Sequence, residues 1–212
     1  MDDEASTPVA LAPDDGHFRR ITNDYLARLA TALDQLDIHA LMRIVERLRV
    51  ARDSGATVFL AGNGGSAATA SHWVNDLAKA TRRSGRDRFR IIGLADNVSW
   101  FSALANDEGY DRVFTGQLEN LARRGDLLIV ISASGNSPNL VSAVEFANAA
   151  GMVSIGLLGF DGGRLRTSVH DALWVPTELG DYGLAESAHS IACDIITTCL
   201  IEDRSVDAPI AR

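Results

Sequence analysis

Two short loops rich in glycine and serine contain the residues best suited to chemistry in this chain. The first, Gly62-Asn63-Gly64-Gly65-Ser66, directly follows an apolar run and directly precedes a helical pattern. Glycines let the backbone approach a ligand closely, and the free N–H groups at a helix start attract anions. The loop is not a Walker A motif, and Ala67 stands where a dinucleotide fingerprint has its third glycine. Alone, this loop is compatible with three interpretations: a phosphate site, a dinucleotide site and a tight bend.

The second loop, "SASGNSPN" at residues 132–139, places three serine hydroxyls around Gly135. Pro138 suits the first turn of a helix and Ser137 suits its N-cap, so a simple cap and turn is one interpretation. The alternative is a phosphate cradle that binds through hydroxyls and backbone N–H groups without lysine or arginine. Because both loops follow predicted strands, we favour the cradle. Its serines are Ser66, Ser132, Ser134 and Ser137.

Ionisable residues on two predicted helices form a second candidate cluster. His72 and Asp76 are four residues apart and therefore share one helix face. Glu186, His189 and Asp194 lie in the otherwise small and apolar stretch "AESAHSIACD". Solvated helix faces and a core histidine are the alternative interpretation. The concentration of ionisable groups in an apolar helix favours a functional site.

The elements that must position these residues alternate along the chain. Apolar residues at three- and four-residue spacing predict amphipathic helices at 17–35 and 38–53. Short apolar runs then predict strands buried on both faces. They lie at 57–62, 89–95, 126–132, 152–159 and 171–176, with helices at 66–80, 98–122, 138–150 and 183–203. This order predicts an α/β fold: a three-layer, doubly wound, five-stranded parallel sheet with an N-terminal helical hairpin. Ligands bind such sheets beyond the carboxyl ends of the strands.

Composition limits the classes of function. The 212 residues predict a disordered arm at 1–16 and a single domain at 17–212. The net charge of −8 argues against nucleic-acid binding, and no apolar run reaches the length that spans a bilayer. The acidic start has no basic segment typical of a secretion signal, so we expect a cytoplasmic protein. Cys193 and Cys199 cannot pair within one helix, and we expect two buried thiols in a reducing compartment.

The order and spacing of three motifs carry a family resemblance. "GNGGSAATASH", "ALANDEGYDRVF" and "ISASGNSPNLVSAVEFANAAGMVSIGLLGFDGG" together resemble the sugar isomerase (SIS) family and, within it, the phosphoheptose isomerases. The resemblance implies conversion of sedoheptulose 7-phosphate to D-glycero-D-manno-heptose 7-phosphate through an enediol. It assigns the sugar phosphate to the four serines with Gly64, and sugar hydroxyls to Asn63 and Asn97. It also implies a homotetramer assembled through the N-terminal helices, with active sites shared between subunits.

The same resemblance implies a metal site. The family's zinc ligands, His and Glu on the first helix and Gln and His on the last, fall at His72, Asp76, Glu186 and Asp194. Three of these four residues differ from the family, and the set is harder and more anionic. Zinc is the metal by resemblance, while the donors suit Mn²⁺ or Mg²⁺. Asp76, Asp194 and Glu186 are the candidate catalytic residues, and Glu186 is also a candidate substrate contact. The alternatives are a non-catalytic SIS module, which binds a sugar phosphate or a protein, and an isomerase or epimerase of another phosphosugar.

Overall fold

Two helices begin the described part of the chain. The computed structural model describes residues 15–82 and 86–202. Helix α1 runs over Asp15–Asp34 and α2 over Ile38–Ser54. The Asp37 carboxylate starts α2 by accepting hydrogen bonds from the backbone N–H of His39 (2.8 Å) and Ala40 (3.1 Å). The two expected N-terminal helices are confirmed. Most of the expected arm lies outside the described residues, but its last two residues, at 15 and 16, are already helical.

A five-stranded parallel sheet forms the centre of the fold. The strand order is β2-β1-β3-β4-β5, and each neighbouring pair is parallel. The strands are β1 Thr57–Gly62, β2 Arg90–Gly93, β3 Leu127–Ser132, β4 Val153–Leu158 and β5 Asp171–Trp174. The predicted sheet is confirmed. The strand order reverses between β1 and β3, where an open α/β sheet binds its ligands. The two glycine–serine loops follow these two neighbouring strands.

Helices cover both faces of the sheet. They are α3 Gly64–Asn75, α4 Val98–Asp107, α5 Thr115–Leu121, α6 Pro138–Ala149, α7 Leu165–Ser168 and α8 Tyr182–Glu202. A π-helical turn, Asp76–Ala80, continues α3. The single helix predicted at 98–122 is wrong. Gly109, with φ of 98°, breaks it, because this backbone conformation cannot continue a right-handed helix.

The core lies in two layers. On one face of the sheet, residues such as Leu48, Trp73 and Ile196 bring α2, α3 and α8 together. On the other face, Phe59 and Val144 belong to the core beneath α5 and α6. Helix α8 has the length and composition of a membrane span, but half of its most apolar window is buried inside the fold, as in a core helix.

The two cysteines differ in their surroundings. Cys193 is buried, as expected, whereas Cys199 is exposed, so the expectation of two buried thiols is wrong for Cys199. The six-residue spacing places the two side chains on different faces of α8, and only one of these faces the sheet.

Candidate active site

The two glycine–serine loops meet in one small cavity at the carboxyl ends of β1 and β3. The cavity has a volume of about 90 Å³. It contains the four predicted serines, together with Asn63, Tyr182 and Glu186. Among the described residues that line it there is no lysine or arginine. An anion bound there would be held by hydroxyls and backbone N–H groups, as the cradle hypothesis expects.

Glycines bring the backbone of the first loop close to its own helix. A Cβ on Gly62 would lie 2.6 Å from the backbone of Ser66, so a larger residue would push this loop outward. Gly64 has a φ of 52°, which glycine adopts without strain, and it begins α3. Ser66 is buried in the first turn of the helix. The loop is therefore shaped by close backbone packing at the helix start.

The second loop is held by its own hydroxyls and by the loop after β4. Ser132 Oγ accepts a hydrogen bond from Gly135 N (3.0 Å), and Ser134 Oγ accepts one from Asn136 N (3.3 Å). A Cβ on Gly135 would lie 2.0 Å from the carbonyl oxygen of Gly162. Ser137 occupies the N-cap position of α6 but its side chain makes no capping hydrogen bond. Its hydroxyl therefore remains available to a ligand, which favours the cradle over the simple cap.

A pair of asparagines joins the two loops. Asn63 Nδ2 donates to Asn139 Oδ1 (3.0 Å), and Asn139 Nδ2 donates to Asn63 Oδ1 (2.9 Å). The Tyr110 hydroxyl also donates to Asn63 Oδ1 (3.0 Å). Asn63 thus lies in the cavity as predicted, but protein partners already engage most of its amide.

Glu186 extends from α8 into the same cavity. A Cβ on Gly65 would lie 2.3 Å from both Glu186 carboxylate oxygens, so the carboxylate rests directly on the first turn of α3. Tyr182, one turn earlier on α8, also lines the cavity and packs edge-on against Phe160, with ring centroids 5.0 Å apart. Phe160 has a φ of 45°, an unusual backbone conformation for this residue type.

Helices α3 and α8 lie side by side from this cavity outward. Thr69 Oγ1 lies 3.2 Å from Ser190 Oγ, and Trp73 Nε1 donates to Thr197 Oγ1 (3.0 Å). We call this line of contacts, from Gly65 and Glu186 at the cavity to Trp73 and Thr197, the α3–α8 seam. It connects the cradle to the second cluster of ionisable residues.

Three of the ionisable residues, His72, Asp76 and Asp194, lie at the far end of the seam. His72 Nε2 lies 3.5 Å from Asp76 Oδ2. Burial raises the pKa of the Cys193 thiol well above its usual value, and the negative charges of Asp194 and Asp76 raise that pKa further. Both carboxylates are therefore close enough to act on the same thiol.

The proposed metal ligands do not form one set in this chain. The Glu186 carboxylate lies on Gly65, and Gly65 and His72 are seven residues apart, about 10 Å along a helix axis. The Glu186 carboxylate therefore lies about two helical turns from the backbone of His72. Across the described ranges, no group of three or more His, Cys, Asp or Glu residues could hold a metal ion.

Asn97 lies apart from the cradle. Its side chain accepts a hydrogen bond from Trp100 N (3.1 Å) and starts α4. It lines a different cavity, together with Val74 and Asp96. A contact between Asn97 and the sugar held in the cradle is therefore not formed within this chain.

His189 is a core residue. Its side chain is fully buried, and burial lowers its pKa to about 4. Neither ring nitrogen has a hydrogen-bond partner with good geometry in the described structure. The neutral form is therefore favoured, as the core-histidine alternative expected.

Comparisons with known proteins agree with this architecture. The family model for the SIS domain matches residues 23–159. The fold and the matched region define the protein as a member of the SIS domain family. Within that family, the chain belongs with the phosphoheptose isomerases. It is 36% identical to phosphoheptose isomerase of Klebsiella pneumoniae over 179 residues, which covers 84% of this chain and 90% of the relative. It is 38% identical to phosphoheptose isomerase of Trichlorobacter lovleyi, covering 73% and 77% of the two chains.

Solved structures give the same result for the fold. A phosphoheptose isomerase from Francisella tularensis superposes with a TM-score of 0.80 at 24% identity, covering 89% of this chain and 98% of the other. Phosphoheptose isomerase from Neisseria gonorrhoeae gives a TM-score of 0.78 at 26% identity, covering 86% and 98%. The five-stranded arrangement is therefore the common fold of these proteins.

Proposed function

We propose that the protein is an isomerase that interconverts sedoheptulose 7-phosphate and D-glycero-D-manno-heptose 7-phosphate. The observation that carries this proposal is the cradle, in which two glycine–serine loops from neighbouring parallel strands enclose one small cavity. The identity to phosphoheptose isomerases along most of the chain supports the choice of sugar.

The cradle binds the phosphate of the sugar. Ser66, Ser132, Ser134 and Ser137 donate hydroxyl hydrogen bonds, and the N-terminus of α3 around Gly64 adds backbone N–H groups and a favourable helix dipole. Asn63 and Glu186 line the same cavity and are suited to the sugar hydroxyls next to the phosphate.

Proton transfer takes place at the far end of the α3–α8 seam, away from the cradle. With the phosphate on C7 in the cradle, C1 and C2 lie at the far end of the extended sugar chain, on the side of Asp76 and Asp194. One carboxylate removes a proton from C1 while the C2 carbonyl oxygen gains a proton, which forms the enediol. The O1 proton then leaves as C2 receives a proton, and the aldose results.

Zinc, which the family resemblance implies, is assigned no step in this mechanism. Histidine and carboxylate donors would suit a divalent ion chemically. His72, Asp76 and Asp194 are the donors on the far side of the seam, but they do not form a metal-binding group, and Glu186 lies in the cradle instead.

A second candidate function follows from this separation. A SIS protein that binds a sugar phosphate without isomerising it needs the cradle but not the residues at the far end of the seam. Asp194 is exposed, and the donors are not drawn together by any ion pair other than that of His72 and Asp76 in the described part of the chain. Turnover, rather than binding, separates the two functions.

We further propose a cytoplasmic homo-oligomer, a tetramer by resemblance. An apolar groove of about 880 Å³ lies between α1, α2 and α8. It includes Ile38 and Met42, which are 68% and 63% exposed. A second copy of the chain would cover this apolar surface, since exposed patches of this kind mark protein interfaces.

Variants of the two regions test the proposal. We expect Ser134→Ala to weaken binding of sedoheptulose 7-phosphate, measured by calorimetry, and Asp76→Asn to abolish turnover with binding retained. Ser168→Ala, at the end of α7 and outside the cradle, is the matched control. Turnover that survives in Asp76→Asn would contradict the assigned proton transfer. Binding without turnover in the wild-type protein would favour the second candidate function.

A further inference from the structure

The asparagine pair between the two loops has a defined hydrogen-bond orientation. Leu140 N lies 2.9 Å from Asn139 Oδ1, and a backbone N–H can only donate, so the atom of Asn139 that accepts must be its oxygen. The nitrogen of Asn139 is then the atom that faces Asn63 Oδ1. One backbone contact therefore fixes the orientation of both amides.

The hydrogen bonds that Asn63 makes within the protein leave only one hydrogen of its amide for a ligand. Its oxygen accepts from both Asn139 and Tyr110, which uses both lone pairs. Its nitrogen donates one hydrogen to Asn139 and keeps one hydrogen free. Toward a ligand in the cradle, Asn63 can act only as a hydrogen-bond donor.

Asn139 itself is closed off from the cavity. It is 1% exposed and is not among the residues that line the cradle. It is the last residue of the second loop and lies in the first turn of α6, while Asn63 belongs to the first loop. The pair is a direct side-chain link between the two halves of the cradle.

We propose that Asn139 is a positioning residue, which aligns the two loops and directs the free hydrogen of Asn63 toward the oxygen of a bound sugar phosphate. This inference rests on the proposed function only in its choice of ligand. The reciprocal pair costs little when it is intact, because the side-chain nitrogen and oxygen of both asparagines each have a hydrogen-bond partner. Loss of Asn139 leaves the Asn63 amide free to rotate and the loops without their link.

A double-mutant cycle in ligand affinity tests the proposal. Dissociation constants for inorganic phosphate and for sedoheptulose 7-phosphate are measured by calorimetry for the wild type, Asn139→Ala, Asn63→Ala and the double variant. Asn148→Ala is the matched control, because Asn148 lies on the same helix and also makes two side-chain hydrogen bonds, to Ser154 and Ser168. Asn139→Asp is a second variant, which keeps the acceptor for Leu140 N and replaces the donor to Asn63 by a negatively charged carboxylate oxygen.

We expect Asn139→Ala to raise both dissociation constants about tenfold, which is the usual effect of losing a buried hydrogen-bond partner. The double variant should bind no more weakly than Asn63→Ala alone, because Asn139 acts through Asn63. If Asn139 were purely structural, Asn139→Ala would lower the melting temperature and leave both dissociation constants at the wild-type value. That result, or additive effects in the double variant, would overturn the proposal.

A ligand-free measurement covers variants that fold poorly. Backbone hydrogen exchange in Asn139→Asp should accelerate in both loops, at residues 62–66 and 132–137, and acceleration confined to α6 would contradict the link. Binding without turnover in the wild type would refute the isomerase and leave this inference standing. Wild-type affinity in the Asn139 variants would refute the link and leave the isomerase standing.

Discussion

Glu186 gives the sharpest single test of how the cradle selects its ligand. Its carboxylate lies on Gly65, at the helix start where a phosphate would bind, and it is the only charged side chain among the described residues that line the cavity. A bound phosphate dianion would therefore meet a like charge. Glu186→Gln removes this charge and keeps the size and shape of the side chain.

Coulomb's law gives the size of the repulsion between the Glu186 carboxylate and a bound phosphate. A carboxylate about 6 Å from a phosphate dianion is repelled by roughly 1.4 kcal/mol at the dielectric constant of water, and by about four times as much at an effective dielectric of 20. Because Glu186 is half-buried, the lower figure is the conservative one. We expect Glu186→Gln to bind inorganic phosphate at least about tenfold more tightly.

Calorimetric titration with inorganic phosphate measures this change directly. Glu178→Gln is the control, because it removes the same charge from an exposed residue outside the cradle. Gly65→Ala should also strengthen phosphate binding, since the added Cβ would displace the Glu186 carboxylate from the helix start. Unchanged or weaker phosphate binding in Glu186→Gln would refute the assignment of this carboxylate to the phosphate site.

Three further predictions test other parts of the structure. The folded-state pKa of His189 is about 4, below the 6.5 of an ordinary histidine, so the unfolded chain binds the proton first as the pH falls. Stability should therefore be lost between pH 6.5 and pH 4, by about 3 kcal/mol, and urea unfolding of His189→Gln should show a flatter pH dependence; equal slopes would contradict this. A chelator should leave the dissociation constant for phosphate unchanged, because the described residues of the cradle form no metal-binding group. A large loss of phosphate affinity in calorimetry after chelation would contradict a metal-free cradle. Met42→Asp should shift the protein to a smaller species in light scattering, because it places a charge in the apolar groove, whereas Arg90→Asp on β2 should not.

The sequence was sufficient to predict the sheet and the position of the two glycine–serine loops at its strand ends, because their signals are local. Runs such as "LLIVIS" in β3 are buried on both faces, and the glycines of both loops mark backbone that must turn or pack closely. The break at Gly109 was missed because one glycine does not reveal a positive φ. Cys199 was placed wrongly because the apolar pattern of α8 continues on its exposed face.

The partners within the site could not be predicted in the same way. Asn139 and Tyr110 act on Asn63 from 76 and 47 residues away in the chain, and no local pattern encodes such pairing. Asn97 was assigned to the sugar by resemblance, but it begins α4 at a different cavity. Glu186 was grouped with His72 by the family resemblance, whereas the packing of α8 on α3 places its carboxylate at Gly65.

The proposed activity is isomerisation of a heptose phosphate that is held in the cradle. The most direct measurement is incubation of the wild-type protein with sedoheptulose 7-phosphate in D₂O, followed by NMR, with Asp76→Asn in parallel. The wild type should form an aldoheptose 7-phosphate that carries deuterium at C2, and Asp76→Asn should form none. Measurable binding of the sugar phosphate by the wild type, with neither deuterium incorporation nor aldose formation, would rule out the isomerase.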